Sequence, residues 1–346
     1  MKKYLFLSAV VALTLAGCAS QEEFDNSLEM TFNAYSVKPS SKALIGTGAY
    51  PTDETFGVFA YYLGDTKKWA SNKSEAVSYF KEEVIYDDTR NLWAPENKHY
   101  WPAIGSVTFF AYSPYTVDAA CSTDKGINLT AYTVTKDDDF LACGPVEDKV
   151  ANDKTGLTGV DIMFGHKLSL VDFKIKTKED YTTDGWTIKV KEIILDSIYS
   201  TGDYTQITTS ATDVWSNQKN QIKYTFTAYD AANGGQEATT TAAVYNSIWR
   251  SGTESDALLA LPQTLNTTKG YTAKLIVKYT LTQKIGGETL FENVEKTKEA
   301  VLSTEKIPAW LVNKKYIYTI IISLDEILFD PSVADWDGPV NEDIDL

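Results

Sequence analysis

The sequence predicts an all-β protein built from sandwich domains, on three observations. Apolar and polar residues alternate with a two-residue period, as in Trp186, Ile188 and Val190 against Thr187, Lys189 and Lys191, or Leu275, Val277, Tyr279 and Leu281 against Lys274, Lys278 and Thr280. Runs rich in Val, Ile, Thr, Phe and Tyr recur at Thr55 to Leu63, Val107 to Tyr112, Leu168 to Ile175, Ile222 to Ala228 and Tyr316 to Leu324. Turn-forming clusters punctuate them, notably Ala231-Ala232-Asn233-Gly234-Gly235 and Gly286-Gly287, and no long stretch has helical spacing. Ser74 to Glu83 stays open, because Ala76, Val77, Tyr79 and Phe80 fit a short surface helix or an irregular loop equally well.

From the start of the chain, Lys2 and Lys3 precede an apolar run from Tyr4 to Leu15 and the small-residue step Leu15-Ala16-Gly17-Cys18. Charge, apolar stretch and cut site in that order predict a cleavable secretory signal over 1–17. A spanning helix needs ~20 apolar residues, and this run stops short. The Leu-Ala-Gly-Cys step resembles a bacterial lipobox. That implies that the Cys18 sulfur takes a diacylglycerol and that Cys18 becomes the new N-terminus, anchored to outer-membrane lipid. Residues 18–23 then form a lipidated tether whose Glu22 and Glu23 are either plain solvated charge or an acidic surface-export address like that of some Gram-negative lipoproteins.

Beyond the tether, the length and the 43% hydrophobic and 12% aromatic composition allow two domains with substantial cores. The polar stretch Glu147 to Gly159 is the boundary candidate, dividing an N-terminal sandwich over 24–160 from a C-terminal one over 161–346. A net charge of −15 without a basic face excludes nucleic acid as partner. His99 and His166 sit in no metal-ligand pattern, so neither metal nor cofactor is expected, and His166 between Phe164 and Leu168 suits a packed interface. No nucleophile, phosphate-loop or dinucleotide motif points to an enzyme. Asp137-Asp138-Asp139 lacks the spaced ligands of a calcium loop and fits a solvated turn. Cys121 and Cys143 can form a disulfide in an oxidising compartment or stand as separate buried thiols. Trp93, Tyr100 and Trp101 suit packing first and a sugar-stacking platform second.

Several local patterns occur in an order that covers nearly the whole mature chain. They are Ser41-Lys42-Ala43 before Thr55-Phe56-Gly57-Val58-Phe59-Ala60-Tyr61-Tyr62; then Val84-Ile85-Tyr86, Trp93, Tyr100-Trp101-Pro102 and Val107 to Pro114. Asp161 to Ser169, Ala257-Leu258-Leu259-Ala260-Leu261-Pro262-Gln263, Trp310 with Lys315 to Ile320, and Pro331 to Trp336 follow. Together they resemble the fimbrillin family, the lipoprotein-derived subunits of type V pili on Gram-negative surfaces.

The resemblance implies two tandem transthyretin-like (Greek-key) β-sandwich domains and assembly by donor-strand exchange. A protease removes the first N-terminal strand from many such subunits, opening a groove that a neighbour's strand fills. On this chain the removable strand would be Met30 to Val37, with Met30, Phe32, Ala34, Tyr35 and Val37 as its side chains, and Lys42 would be the basic cleavage residue. The only arginines are Arg90 and Arg250, so an arginine-specific protease has no site in this region: either a different specificity acts at Lys42, or the strand stays and the subunit is an anchor or a terminal one. The stretch Ile327 to Leu346, with Ile327, Phe329, Val333, Trp336, Val340 and Ile344, would supply a donor segment or close the second sandwich. The expected function is a structural or adhesive subunit of a fimbria at the outer membrane or cell surface. Its partners would be other pilus subunits and a host or bacterial surface receptor or glycan. The rival reading is a monomeric surface glycan-binding lipoprotein of the same β class.

Overall fold

The computed structural model describes residues 24–37, 47–136, 138–151, 159–207, 214–249, 257–266, 271–324 and 327–336. The first strands are β1 (Phe24–Glu29), β2 (Phe32–Val37), β3 (Thr47–Ala49), β4 (Phe56–Leu63), β5 (Val77–Asp87) and β6 (Leu92–Pro95). After them come β7 (Tyr100–Pro102), β8 (Ser106–Ser113), β9 (Ala120–Ser122), β10 (Gly126–Thr133), β11 (Leu141–Lys149) and β12 (Val160–His166). One sheet runs in the order β12-β11-β8-β4-β5-β6-β2-β3. A parallel ladder from Val160↔Phe32 to Phe164↔Ser36 joins β12 to β2, so the sheet closes into a barrel instead of ending in two open edges.

The undecided segment Ser74 to Glu83 is mostly strand. A single 3-10 turn at Lys73–Glu75 gives way to β5, which pairs antiparallel with β4 from Phe56↔Val84 to Tyr62↔Val77. Cross-strand pairing decides what the local spacing left open. The one described α-helix is the four-residue turn Trp69–Asn72.

The second half continues with β13 (Ser169–Thr177), β14 (Trp186–Thr205), β15 (Val214–Thr227), β16 (Gln236–Glu237), β17 (Ala243–Val244) and β18 (Leu258–Ala260). It ends with β19 (Gln263–Thr264), β20 (Lys274–Ile285), β21 (Glu288–Val301), β22 (Ala309–Trp310), β23 (Lys314–Ile322) and β24 (Ile327–Asp335). One sheet has the order β17-β13-β23-β24, and a second runs β21-β20-β14-β10-β9 with β15 also on β14. They enclose a core that includes Val171, Phe173, Ile193, Val277, Tyr279, Tyr318 and Ile320. Gly286 and Gly287, at φ 61° and 91°, make the turn between β20 and β21, a conformation that side chains with a Cβ resist.

β14 is 20 residues long and joins the halves: its distal end pairs with β10, from Asn128↔Thr205 to Thr133↔Thr201. A second junction lies on the barrel wall. Phe56, Val58 and Ala60 of β4 and Val107, Phe109 and Ala111 of β8 point inside the barrel. The alternate residues Phe59, Tyr61, Phe110 and Tyr112 point the other way, into a core shared with Leu168, Leu170, Tyr204, Leu259 and Leu261. Burial on both faces explains why these two strands are continuous apolar runs and not alternating ones.

Candidate strand-exchange site

The site begins with the period of β2. Met30, Phe32 and Ala34 are 0%, 1% and 4% exposed, and Ser36 is buried with them, so the even-numbered residues enter the barrel. Tyr35 does not belong to this set. It is 37% exposed because the alternation turns it outward, beside Asn33, whose amide donates to Asp161 Oδ1 at 2.9 Å. Val37 ends the strand opposite Thr47, and its side chain lies outside the described residues.

Phe32 meets Phe109 edge-on at 5.5 Å and Phe56 at 6.4 Å between ring centroids. Around it stand Tyr50, Trp93, Trp101, Val160, Ile162 and Phe164. Trp93 and Trp101, weighed above as a sugar platform, are 5% and 0% exposed and serve as core. Tyr50 shares a 2.7 Å hydrogen bond with Ser113 Oγ, and burial drives its phenol pKa well above the ordinary value.

Backbone bonds tie the strand's two flanks. The Met30 amide donates to His99 O at 2.8 Å, the Val160 amide to Thr31 O at 2.8 Å, and the Tyr50 amide to Ala34 O at 3.0 Å. Gly159, at φ 86°, passes so close to the Phe32 backbone that a Cβ there would lie 2.9 Å from the Phe32 carbonyl carbon. Vacating residues 30–36 would therefore open an apolar slot with unpaired amides along β12, the two features that an added strand satisfies.

The sequence analysis names Asp161 to Ser169 only as one pattern of the resemblance and does not identify β12 as the partner of β2. The signal was present: Val160, Ile162, Phe164 and His166 are buried while Asp161 and Met163 are exposed, a two-residue period broken in the eye by Gly165.

The C-terminal stretch is seated in its own sheet. β24 pairs antiparallel with β23 along its length, from Lys314↔Asp335 to Ile322↔Ile327, as the outer strand. Ile327 and Val333 pack half-buried on the second core, whereas Leu328 is 46% exposed. Pro331 lies in this strand, where an edge tolerates its missing N–H. The side chain of Phe329, and Val340 and Ile344 altogether, lie outside the described residues, as do Cys18 and Lys42.

Trp336 follows β24 and stacks on the imidazole of His166, 3.8 Å between centroids and 7° from parallel. His166 Nδ1 is 2.6 Å from Asp139 Oδ2, with both side chains 1% exposed. Asp139 is thus no part of a solvated turn: it is drawn inward by the histidine, while Asp138 remains outside on Thr135.

Cys121 and Cys143 are free thiols, not a disulfide. They sit on different sheets, Cys121 opposite Ile127 and Cys143 opposite Ala111. Burial pushes their pKa values up to about 12 and about 11 respectively, which suppresses the thiolate needed for exchange.

Known proteins share this architecture. A crystal structure of a fimbrial protein from Bacteroides vulgatus superposes with a TM-score of 0.58 at 20% identity, covering 88% of this chain and 99% of that one, a likeness of fold. Fimbrium subunit Fim1C of Phocaeicola vulgatus is 27% identical over 129 residues, 36% of this chain and only 34% of that protein. A Bacteroides uniformis protein provisionally given the same subunit name is 24% identical over 341 residues, 97% of this chain and 96% of its own length. The profile of the fimbrillin-like family matches residues 41–336, most of the sequence, and the chain belongs to that family of fimbrial proteins.

Proposed function

We propose that the protein is a fimbrial building block, exported as a lipoprotein through Cys18, that polymerises by exchanging strands. Cleavage at Lys42 releases the segment containing β2, and a neighbouring subunit's extended segment takes its place in the barrel. The observation that carries this reading is that β2 closes the barrel, with Met30, Phe32 and Ala34 inside it, and leaves toward the segment holding Lys42. Four incoming apolar side chains at ~1.5–3 kcal/mol each supply roughly 6–12 kcal/mol before ordering costs, enough for a long-lived joint.

The donor in this scheme is the C-terminal segment from Ile327 onward. It is an outer strand, so detaching it breaks one ladder and not two. We keep two transthyretin-like modules as the units that stack along the fibre, with the division expected at 160/161 shifted to follow β12, since Val160–His166 pairs with β2 of the first module. The test is electrophoresis of cell-surface material in SDS without boiling, followed by mass determination of the subunit's N-terminus. A ladder that collapses on heating, built of chains beginning at Lys42 or Ala43, is expected. Monomer alone, or assembled chains with an intact N-terminus, would end the proposal.

A further inference from the structure

We infer that Arg90 and Lys98 form a carboxylate-reading rim at the mouth of the barrel slot, which selects incoming strands carrying an acidic residue one place before the first inward apolar side chain. Its role in assembly rests on the strand-exchange reading, but its measurement does not.

The rim is seen with its native occupant. Glu29 stands one residue before Met30, whose side chain is fully buried inside the barrel. Arg90 Nη1 donates to Glu29 Oε2 at 2.9 Å, and Lys98 Nζ lies 3.5 Å from the same oxygen. The Glu29 side chain is only 19% exposed, so solvent screens the contact less than it would an open surface pair. Carboxylate and cations sit on different parts of the chain. Glu29 ends β1 and departs with the cleaved segment, whereas Arg90 lies in the turn between β5 and β6 and Lys98 in the loop between β6 and β7, both of which stay. Arg90 does not depend on Glu29 for its place: its Nε donates to Asp87 Oδ2 at 2.6 Å and its amide to Asp87 Oδ1 at 3.1 Å. Loss of Glu29 removes the carboxylate shared by both cations and leaves a preset rim one negative charge short.

An incoming segment that returns a carboxylate to this point, one step outside its inward apolar residues, restores the pair; a neutral residue leaves the cations uncompensated and a basic one repels them. The apolar slot alone accepts many alternating strands, so the rim supplies the discrimination that burial lacks. The C-terminal stretch of this chain contains the required order: Asp343 precedes Ile344 and Leu346 as Glu29 precedes Met30 and Phe32.

The full chain with one specific protease site placed between Val37 and Thr47 supplies the assay. After cutting, fluorescent peptides spanning residues 24–37 compete for the slot with the retained native segment. Glu29→Gln in the peptide should weaken capture about three- to ten-fold, and Glu29→Lys should weaken it further, as expected for a half-screened charged hydrogen bond. Both losses should shrink at ~1 M salt. Protein carrying Arg90→Glu should reverse the order and take the Glu29→Lys peptide best. Equal capture of native and substituted peptides, or no reversal by Arg90→Glu, overturns the inference. Where the native segment does not leave, urea midpoints of uncut Glu29→Lys, Arg90→Glu and the double variant decide: the double variant should recover most of the loss, and losses that simply add overturn the inference. Selective capture without a ladder in unboiled surface material ends the polymerisation scheme and leaves the rim standing. A ladder from protein whose slot ignores the carboxylate gives the reverse.

Discussion

Replacing Phe32 by alanine tests the claim that the first strand is a working part of the barrel and not a loose extension. The side chain is 1% exposed and its ring has two edge-on aromatic neighbours, Phe109 at 5.5 Å and Phe56 at 6.4 Å. Truncating a buried phenylalanine costs about 3–5 kcal/mol, from lost transfer free energy and the cavity left behind. Tyr35, three residues along and 37% exposed, should change stability by no more than ~0.5 kcal/mol when cut to alanine. Urea unfolding of the uncleaved protein, followed by tryptophan fluorescence, measures both. The fibre proposed above would provide the contrast, because subunits that had shed the strand would no longer contain Phe32. Fibres from the variant should therefore dissociate at the same temperature as wild type. A loss under about 1 kcal/mol in the uncleaved protein, or a fibre destabilised as much as the monomer, would refute the reasoning.

Gly57→Ala should lower stability by about 1–3 kcal/mol in a thermal melt, since a Cβ there would lie 2.2 Å from the Tyr112 ring, inside a strand packed on both faces. Cys121 and Cys143 should react with a thiol reagent at pH 7 far more slowly in the folded protein than in denaturant. With the Cys143 pKa near 11, roughly one such thiol in ten thousand is ionised. Stability should fall above about pH 10, where unfolded tyrosines ionise while buried Tyr50 and Tyr318 keep their protons, both phenols being raised by desolvation. Each contributes a slope of about 1.4 kcal/mol per pH unit, so their share is complete below pH 10 and lost as pH climbs toward their folded values. Absorbance of tyrosinate during alkaline titration should appear together with loss of circular dichroism. Lys42→Gln should abolish any ladder in unboiled surface material while leaving the monomer's urea midpoint unchanged.

The β class was legible because the alternation in Trp186 to Lys191 and Lys274 to Leu281 has no helical counterpart, and these segments are β14 and β20. The runs at Phe56 and Val107 were visible as strands too, although their apolar continuity gave no hint that opposite faces serve different cores. Barrel closure was not legible. A parallel ladder between residues 32–36 and 160–164 joins segments far apart in sequence, and no local period encodes a partner at that distance. Within the candidate site, the apolar residues of β2 were recognisable, but Tyr35 was grouped with them on composition. A strand's two faces separate Tyr35 from Ala34 whatever their hydrophobicity. Asp139 was misread for a related reason: three consecutive aspartates suggest solvent until a histidine from another strand arrives to pair with one of them.

The two-faced wall made by β4 and β8 has a mechanical consequence. Side chains of one sheet are clamped simultaneously by the barrel interior and by Leu168, Tyr204 and Leu259 from the other half, so neither half can tilt without opening a dry seam. Hinging between the halves is therefore resisted at this wall. A filament of such molecules would take up bending mainly at the junctions between successive copies.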